Sequence, residues 1–193
     1  MMVKFIRLFL LLAFLLFLAA CGDQYNGDFS YKVQDFTFTN QDGEEISKSD
    51  LDGKFWVVDF IFTNCTTVCP PMTSNMASLQ DQLDEAGLQD DVELVSFSVD
   101  PERDKPETLK AYAEARGGSF ENWNLLTGYD FDTIKEFSIQ SFKSAVEQLP
   151  DSDQIMHGTS FFIVSPEGNA IKNYDGRKAA NMEKIVEDIQ DMM

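Results

Sequence analysis

The stretch "KFWVVDFIFTNCTTVCPP", residues 54–71, joins a predicted strand to a predicted helix. From Phe55 to Phe62 every side chain is apolar except that of Asp59, which is the length and composition of a central buried strand. The two prolines that end the stretch suit the first turn of a helix, because proline lacks the backbone N–H that a first turn leaves unpaired. Cys65 and Cys69 therefore lie in the junction between the two elements.

Strand and helix patterns alternate on both sides of this stretch. Residues 144–153 are predicted to be a loop. Strands are predicted at 36–47 as a hairpin, at 92–99, at 123–128 and at 159–174 as a second hairpin. Helices are predicted with the two prolines in the first turn, from Asp104, from Asp130 to Phe142 and from Asn181. This order predicts an α/β protein with a mixed central sheet flanked by helices. It matches a thioredoxin-like fold with an N-terminal β-hairpin extension.

The first residues have the pattern of a secretory signal. Lys4 and Arg7 precede an apolar run from Leu8 to Ala20, whose 13 residues fall short of the ~20 needed to cross a bilayer. The tetrapeptide "LAAC", residues 18–21, resembles a bacterial lipoprotein box, which implies cleavage before Cys21 and a lipid on its sulfur. An ordinary signal peptide with a chance cysteine is the alternative.

We therefore predict three segments in the chain. Residues 1–20 form a lipoprotein-type signal peptide, residues 21–30 a lipid-anchored polar tether and residues 31–193 one thioredoxin-like domain. The expected location is the outer face of the cytoplasmic membrane, with the protein a monomer held by its lipid anchor. The formal net charge of −18 makes nucleic acid an improbable partner.

The two cysteines of the junction could form a structural disulfide, a redox-active pair or two soft metal ligands. Their spacing permits a disulfide, but a bridge that closes so short a loop restricts the unfolded chain little, which counts against a structural role. The helix that is predicted to begin near Cys69 should favour its thiolate through unpaired N–H groups and the helix dipole. Three residues separate Cys65 and Cys69, whereas the thioredoxin redox motif has two.

The chain contains one histidine, His157, directly before a predicted strand. In a thioredoxin-like fold the loop that enters this strand faces the cysteine loop, so the imidazole should reach both sulfurs. That loop normally carries a cis-proline, whereas here it reads His157-Gly158-Thr159. Two thiolates and an imidazole suit copper, whereas structural zinc prefers a fourth protein ligand and none is evident. A hydrogen-bonded histidine without a metal is the alternative.

Several sequence blocks, taken in order, resemble the Sco/SenC family of copper-handling, thioredoxin-like proteins needed for cytochrome c oxidase assembly. The resemblance runs from about Phe36 to Asp175, and its most specific parts are "FIFTNCTTVCP", "SVDPERDKPETLKAYAE", "WNLLTG" and "HGTSFFIVSPEGNAIKNYDG". One departure is Thr66-Thr67, where many relatives have Pro-Asp. This change alters the charge of the loop and removes no ligand.

The resemblance implies a membrane-anchored metallochaperone that binds one copper ion, as Cu(I) or Cu(II), through Cys65, Cys69 and His157. Its implied partner is the dinuclear copper site of cytochrome c oxidase subunit II, to which it would transfer copper. The alternative is a thiol-disulfide oxidoreductase that uses Cys65 and Cys69 as a redox-active pair, reduces the oxidase cysteines and depends on an unidentified thiol reductant. A peroxidase, suggested by Thr66 three positions before Cys69, and a copper or redox sensor are further alternatives.

Three other residues have two possible roles each. Asp59 is either a buried proton acceptor for thiol exchange or, as we expect, a side chain that reaches solvent or a polar pocket. Asp100 either orients His157 or belongs to the turn before Pro101. Met156 offers a thioether next to His157, but methionine usually fills gaps in a core.

Overall fold

The structure is a computed structural model that describes residues 25–193. The predicted signal peptide and the predicted lipidation at Cys21 lie outside the described residues. The elements run in the order β1 (Tyr31–Lys32), β2 (Thr37–Thr39), β3 (Glu45–Ser47), a 3-10 turn (Lys48–Leu51), β4 (Phe55–Ile61), α1 (Cys69–Glu85), β5 (Val92–Ser98), α2 (Pro106–Glu114), β6 (Trp123–Leu126), α3 (Phe131–Phe142), β7 (Val146–Gln148), β8 (Ile155–His157), β9 (Ser160–Val164), β10 (Asn169–Asp175) and α4 (Ala180–Met192).

One six-stranded mixed sheet, in the order β1-β10-β9-β4-β5-β6, organises the domain. Strands β4, β5 and β6 are parallel, whereas β9 pairs antiparallel with both β4 and β10. Val57 in β4 lies opposite Leu94 on one side and Ile163 on the other, so β4 is the central strand that its apolar sequence predicts. The thioredoxin-like α/β fold is confirmed.

Two small hairpins accompany the main sheet. Strands β2 and β3 pair as the predicted N-terminal hairpin. Strands β7 and β8 form a second hairpin that the sequence pattern did not predict, since residues 144–153 were expected to be a loop. Its register places Val146 opposite His157, so this hairpin carries the histidine.

Helices cover both faces of the sheet, and alternate residues of β4 pack against opposite layers. Val57 and Ile61 belong to a buried cluster with the predicted apolar face of α1 and with α4. Trp56, Val58 and Phe60 belong to a second buried cluster, rich in phenylalanine, on the other side of the sheet. Since β4 is buried along its whole length, its carboxyl end provides a rigid base for the cysteine loop.

The described part of the predicted tether contacts the domain. The Tyr25 ring packs edge-on against Phe55, with the ring centroids 5.0 Å apart. The backbone N–H groups of Asp28 and Phe29 both donate to the Ile171 carbonyl. Residues 25–30 therefore lie along β10 and meet the sheet at the amino end of β4. Within residues 25–193 no helix has the length and apolar character required to cross a bilayer.

Candidate metal centre

The cysteines lie where the chain leaves β4 and enters α1. Cys65 sits in the connecting loop, where its backbone N–H donates to the Phe62 carbonyl at 3.3 Å. Cys69 is the first residue of α1, followed by the two prolines, as the sequence predicts. Both are free thiols, and both are buried, with 6% of Cys65 and none of Cys69 exposed.

The imidazole of His157 faces the two sulfurs from the β7–β8 hairpin. Its Nε2 lies 3.2 Å from Cys69 Sγ, and its Nδ1 lies 2.9 Å from the Gly158 carbonyl oxygen. A carbonyl oxygen only accepts hydrogen bonds, so Nδ1 carries the proton and donates it to Gly158. In the neutral ring this leaves Nε2 with a free lone pair that is directed at the sulfurs.

Close packing holds the imidazole in this orientation. The Phe62 ring meets it edge-on at a centroid distance of 5.6 Å. A Cβ on Gly158 would lie 2.4 Å from Ser144 Oγ, so a larger residue in this turn would force the Ser144 hydroxyl to move. On the outer side, an open groove of about 480 Å³ borders His157 and Met156, which gives a partner access to the imidazole.

Cys65, Cys69 and His157 together form a possible metal site. One ligand atom from each residue lies within 4.8 Å of the other two. Among residues 25–193, no other group of three or more histidine, cysteine, aspartate or glutamate side chains meets this condition. Two sulfurs and one imidazole nitrogen suit a soft metal ion such as copper, which tolerates a low coordination number.

The thiolate of the pair resides on Cys65. Burial alone would raise its pKa, but the hydrogen bonds that Cys65 Sγ accepts, one of them from the backbone N–H of Cys69, outweigh this and lower the pKa of Cys65 to about 5. The backbone N–H of Cys69, at the start of α1, lies 3.4 Å from Cys65 Sγ and donates this bond. The amino terminus of the helix therefore stabilises a negative charge on Cys65.

The prediction that the helix would favour the thiolate of Cys69 is wrong. Burial raises the pKa of the Cys69 thiol well above its ordinary value, and the neighbouring Cys65 and Asp59 raise it further. The backbone N–H of Cys69, at the start of α1, points at Cys65 Sγ, so it is Cys65 and not Cys69 that gains from the helix terminus. Its S–H instead donates to His157 Nε2.

The unequal thiols give a testable pH profile. In the reduced, metal-free protein we expect iodoacetamide to modify Cys65 at a rate that rises with pH through about 5 and is level at pH 7, because only the thiolate reacts. Cys69 should stay largely unmodified over the same range. Peptide mass spectrometry of samples alkylated at a series of pH values measures both sites. A rate for Cys65 that rises only near pH 8.5, as for an ordinary thiol, would contradict the structure.

Asp59 is completely buried, contrary to our expectation that it would reach solvent or a polar pocket. Its Oδ1 accepts a hydrogen bond of 2.5 Å from Ser96 Oγ, which in turn accepts one from Trp123 Nε1. Its Oδ2 has no hydrogen-bond partner. Burial raises the pKa of Asp59 to about 7. The expectation failed because helices cover both faces of the central strand.

Asp100 and Met156 lie near the site without completing it. The Asp100 carboxylate accepts a hydrogen bond of 2.8 Å from Arg103, which agrees with the turn interpretation, and none from His157 is found. The Met156 side chain is 52% exposed, so the interpretation of Met156 as a filler of the core is wrong.

Asp104 is a residue of the site that the sequence did not identify. We predicted only that a helix begins at Asp104, but α2 begins at Pro106 with Lys105 at its N-cap. The Asp104 carboxylate instead accepts hydrogen bonds from the backbone and the hydroxyl of Thr63, two residues before Cys65. Its position after β5 could have indicated a place near the cysteines, because the carboxyl ends of the parallel strands β4 and β5 lie at the same edge of the sheet.

A thioredoxin-like domain with two thiols at its strand-to-helix junction and an imidazole facing them defines a class of protein. Such a domain is equipped to bind a soft metal ion or to exchange disulfides. The chain belongs to the SCO1/SenC family, whose model matches residues 26–193. The resemblance found in the sequence is thereby confirmed.

Three solved structures show the extent of the similarity. A SCO1/SenC family lipoprotein from Bacillus anthracis str. Ames is 46% identical, with a TM-score of 0.81 over 86% of this chain and 99% of that chain. BsSco, a Sco family cytochrome c oxidase assembly protein with a disulfide switch, is 44% identical, with a TM-score of 0.78 over 87% and 96%. ScoI of Arabidopsis thaliana with copper bound is 26% identical, with a TM-score of 0.69 over 82% and 98%.

Proposed function

We propose that the protein is a membrane-anchored copper metallochaperone for the dinuclear copper site of cytochrome c oxidase subunit II. It binds one copper ion through Cys65, Cys69 and His157. The observation that carries this proposal is the convergence of two sulfurs and one imidazole nitrogen within 4.8 Å. The copper-bound relative and the oxidase-assembly role of BsSco support it.

Each ligand contributes differently to binding. Cys65 offers a thiolate without first losing a proton, because its pKa is about 5. Cys69 releases its proton when the ion binds, so uptake of copper should release about one proton from the pair near neutral pH. His157 is already oriented by its bond to Gly158, so it loses little freedom on binding. Transfer then proceeds by stepwise replacement of these ligands with the thiolates and imidazoles of the acceptor.

The redox state of the pair controls whether copper is held. Both cysteines must be reduced to act as ligands, and joining their sulfurs in a disulfide releases two electrons to an oxidant and removes both thiolates. A thiol reductant must then return two electrons to restore the site. The proposed cycle therefore includes such a reductant outside the membrane.

A thiol-disulfide oxidoreductase is the second candidate function. The unequal pKa values of Cys65 and Cys69 favour it, because the thiol with the lower pKa is the usual nucleophile that attacks a disulfide. The disulfide switch of BsSco is consistent with it. A peroxidase that acts through Cys69 is disfavoured by the complete burial and raised pKa of that thiol. A copper or redox sensor stays an untested alternative.

We further propose that the mature protein stays at the outer face of the cytoplasmic membrane through a lipid on Cys21. The "LAAC" pattern and the lipoprotein from Bacillus anthracis support this anchor. Mass spectrometry of the protein from its native membrane tests it, because lipidation adds two acyl chains. Two chains suffice for stable anchoring.

Copper titration of the reduced, full-length protein in detergent tests the proposed function. We expect Cu(II) to bind at one equivalent and to produce a sulfur-to-copper charge-transfer band, and Cu(I) to bind without colour. Alkylation of both cysteines before titration is the control and should remove the band. Saturation without a sulfur-to-copper band would contradict the proposed ligand set and favour the oxidoreductase.

A further inference from the structure

The buried carboxylate of Asp104 accepts hydrogen bonds from Thr63, two residues before Cys65. The Asp104 oxygens lie 3.2 and 3.3 Å from the backbone nitrogen of Thr63, whose hydroxyl donates to Asp104 at 2.6 Å. The Ser98 hydroxyl donates a further bond of 2.6 Å. Asp104 has no exposed surface, so water does not compete for these bonds. Asp104 thus connects the loop after β5 to the loop after β4.

The loop that carries Asp104 is itself fixed to the sheet. The Asp104 backbone N–H donates to the Asp100 carbonyl at 2.9 Å, and its carbonyl accepts a bond of 2.8 Å from the Thr127 hydroxyl. The Tyr129 hydroxyl donates to the Ser98 carbonyl at 2.8 Å. Backbone and hydroxyl hydrogen bonds therefore fix the position of Asp104, whose carboxylate in turn fixes Thr63.

The residue after Thr63 connects the same segment to the histidine hairpin. The Asn64 backbone carbonyl accepts a hydrogen bond of 3.2 Å from the side chain of Gln154. The side-chain amide of Asn64 donates one of 2.9 Å to the Asp153 carboxylate. Gln154 directly precedes β8, which ends at His157. The segment 63–64 is thus fixed to Asp104 on one side and to the His157 hairpin on the other, and Cys65 follows directly.

We propose that Asp104 is a positioning residue of the copper site, which acts through Thr63 to hold Cys65 Sγ at ligand distance from Cys69 and His157. This inference rests on the proposed copper-binding function. Cys65 depends on such a support because it lies in a loop, whereas Cys69 is held by α1 and His157 by β8. A metal site is selective and tight when its ligands are held in place before the ion arrives.

The hydroxyl of Thr63 provides a matched pair of variants. Thr63→Val has nearly the same shape and keeps the backbone bond to Asp104 but loses the hydroxyl bond. Thr63→Ser keeps the hydroxyl. We expect Thr63→Val and Asp104→Asn to bind Cu(II) roughly 10- to 100-fold more weakly, with a shifted sulfur-to-copper band, and Thr63→Ser to resemble the wild type.

The measurement is Cu(II) affinity by competition with a chelator, together with the visible spectrum, on the reduced full-length proteins in detergent. Circular dichroism before titration reports folding. If Asp104→Asn does not fold, the comparison of Thr63→Val with Thr63→Ser still decides the question. Wild-type affinity and spectrum in a folded Thr63→Val would overturn the proposal while leaving the copper function intact. Absence of copper binding in the wild type would overturn both.

Discussion

Replacing His157 with alanine is expected to abolish tight Cu(II) binding. The imidazole is the only nitrogen ligand in the group, and its Nε2 lies 3.2 Å from Cys69 Sγ and within 4.8 Å of Cys65 Sγ. Loss of an outer partner alone usually weakens a metal site by roughly 10- to 100-fold, so loss of a ligand should exceed about 100-fold. Cu(I) binding should be less affected, because thiolates supply most of its affinity. Chelator competition with each copper ion measures both effects.

The neighbouring methionine provides the matched control for His157→Ala. Met156→Ala removes an exposed side chain from the same strand and leaves all three ligands in place, so its Cu(II) affinity should equal that of the wild type. In cells lacking the native protein, only the histidine variant should fail to restore cytochrome c oxidase. Full oxidase activity with His157→Ala would instead show that the two thiols suffice, as the oxidoreductase alternative requires.

Replacing Asp59 with asparagine is expected to stabilise the reduced protein above neutral pH. The pKa of Asp59 is about 7 in the folded chain, against 3.8 for an ordinary aspartate. Between these values the unfolded chain has lost a proton that the folded chain keeps, so the free energy of unfolding falls as pH rises from about 4 to 7. The difference of about 3 pH units corresponds to about 4 kcal/mol. Asparagine cannot ionise, so the variant should avoid this loss.

Urea unfolding at pH 4.5 and pH 8 measures the effect of Asp59→Asn. The variant should gain several kcal/mol over the wild type at pH 8 and little at pH 4.5. The matched control is Asp90→Asn, which makes the same chemical change at an exposed position. Equal pH dependence in Asp59→Asn and the wild type would mean that the buried carboxyl does not titrate as the structure indicates.

Much of the fold could be predicted because its main elements have strong sequence periods. The continuous apolar run of β4 and the apolar face of α1 both describe positions that are buried in the structure. The β7–β8 hairpin was missed because each strand has three residues and their pairing depends on contacts distant in the chain. Local propensity decides little for such short strands.

The sequence predicted which three residues the candidate site brings together, but not which cysteine carries the thiolate. The topology of the fold indicated that His157 would face the cysteine loop, since loops at one edge of a sheet lie together. The preference of the thiolate for Cys65 depends on where individual N–H groups point, and no sequence pattern contains that direction. The roles of Asp59 and Asp104 likewise depend on complete burial within the assembled sheet.

The contact between Tyr25 and Phe55 has a consequence for how the domain stands on a bilayer. The four steps from Cys21 to Tyr25 span at most ~14 Å, so a lipid on Cys21 would hold the amino end of β4 close to the headgroups. The seven residues of β4 separate this end from the opposite end, where the sulfurs lie, by roughly 23 Å. Copper bound at the sulfurs would therefore lie at the end of β4 remote from the anchor, and an integral membrane recipient would have to reach that end of the domain.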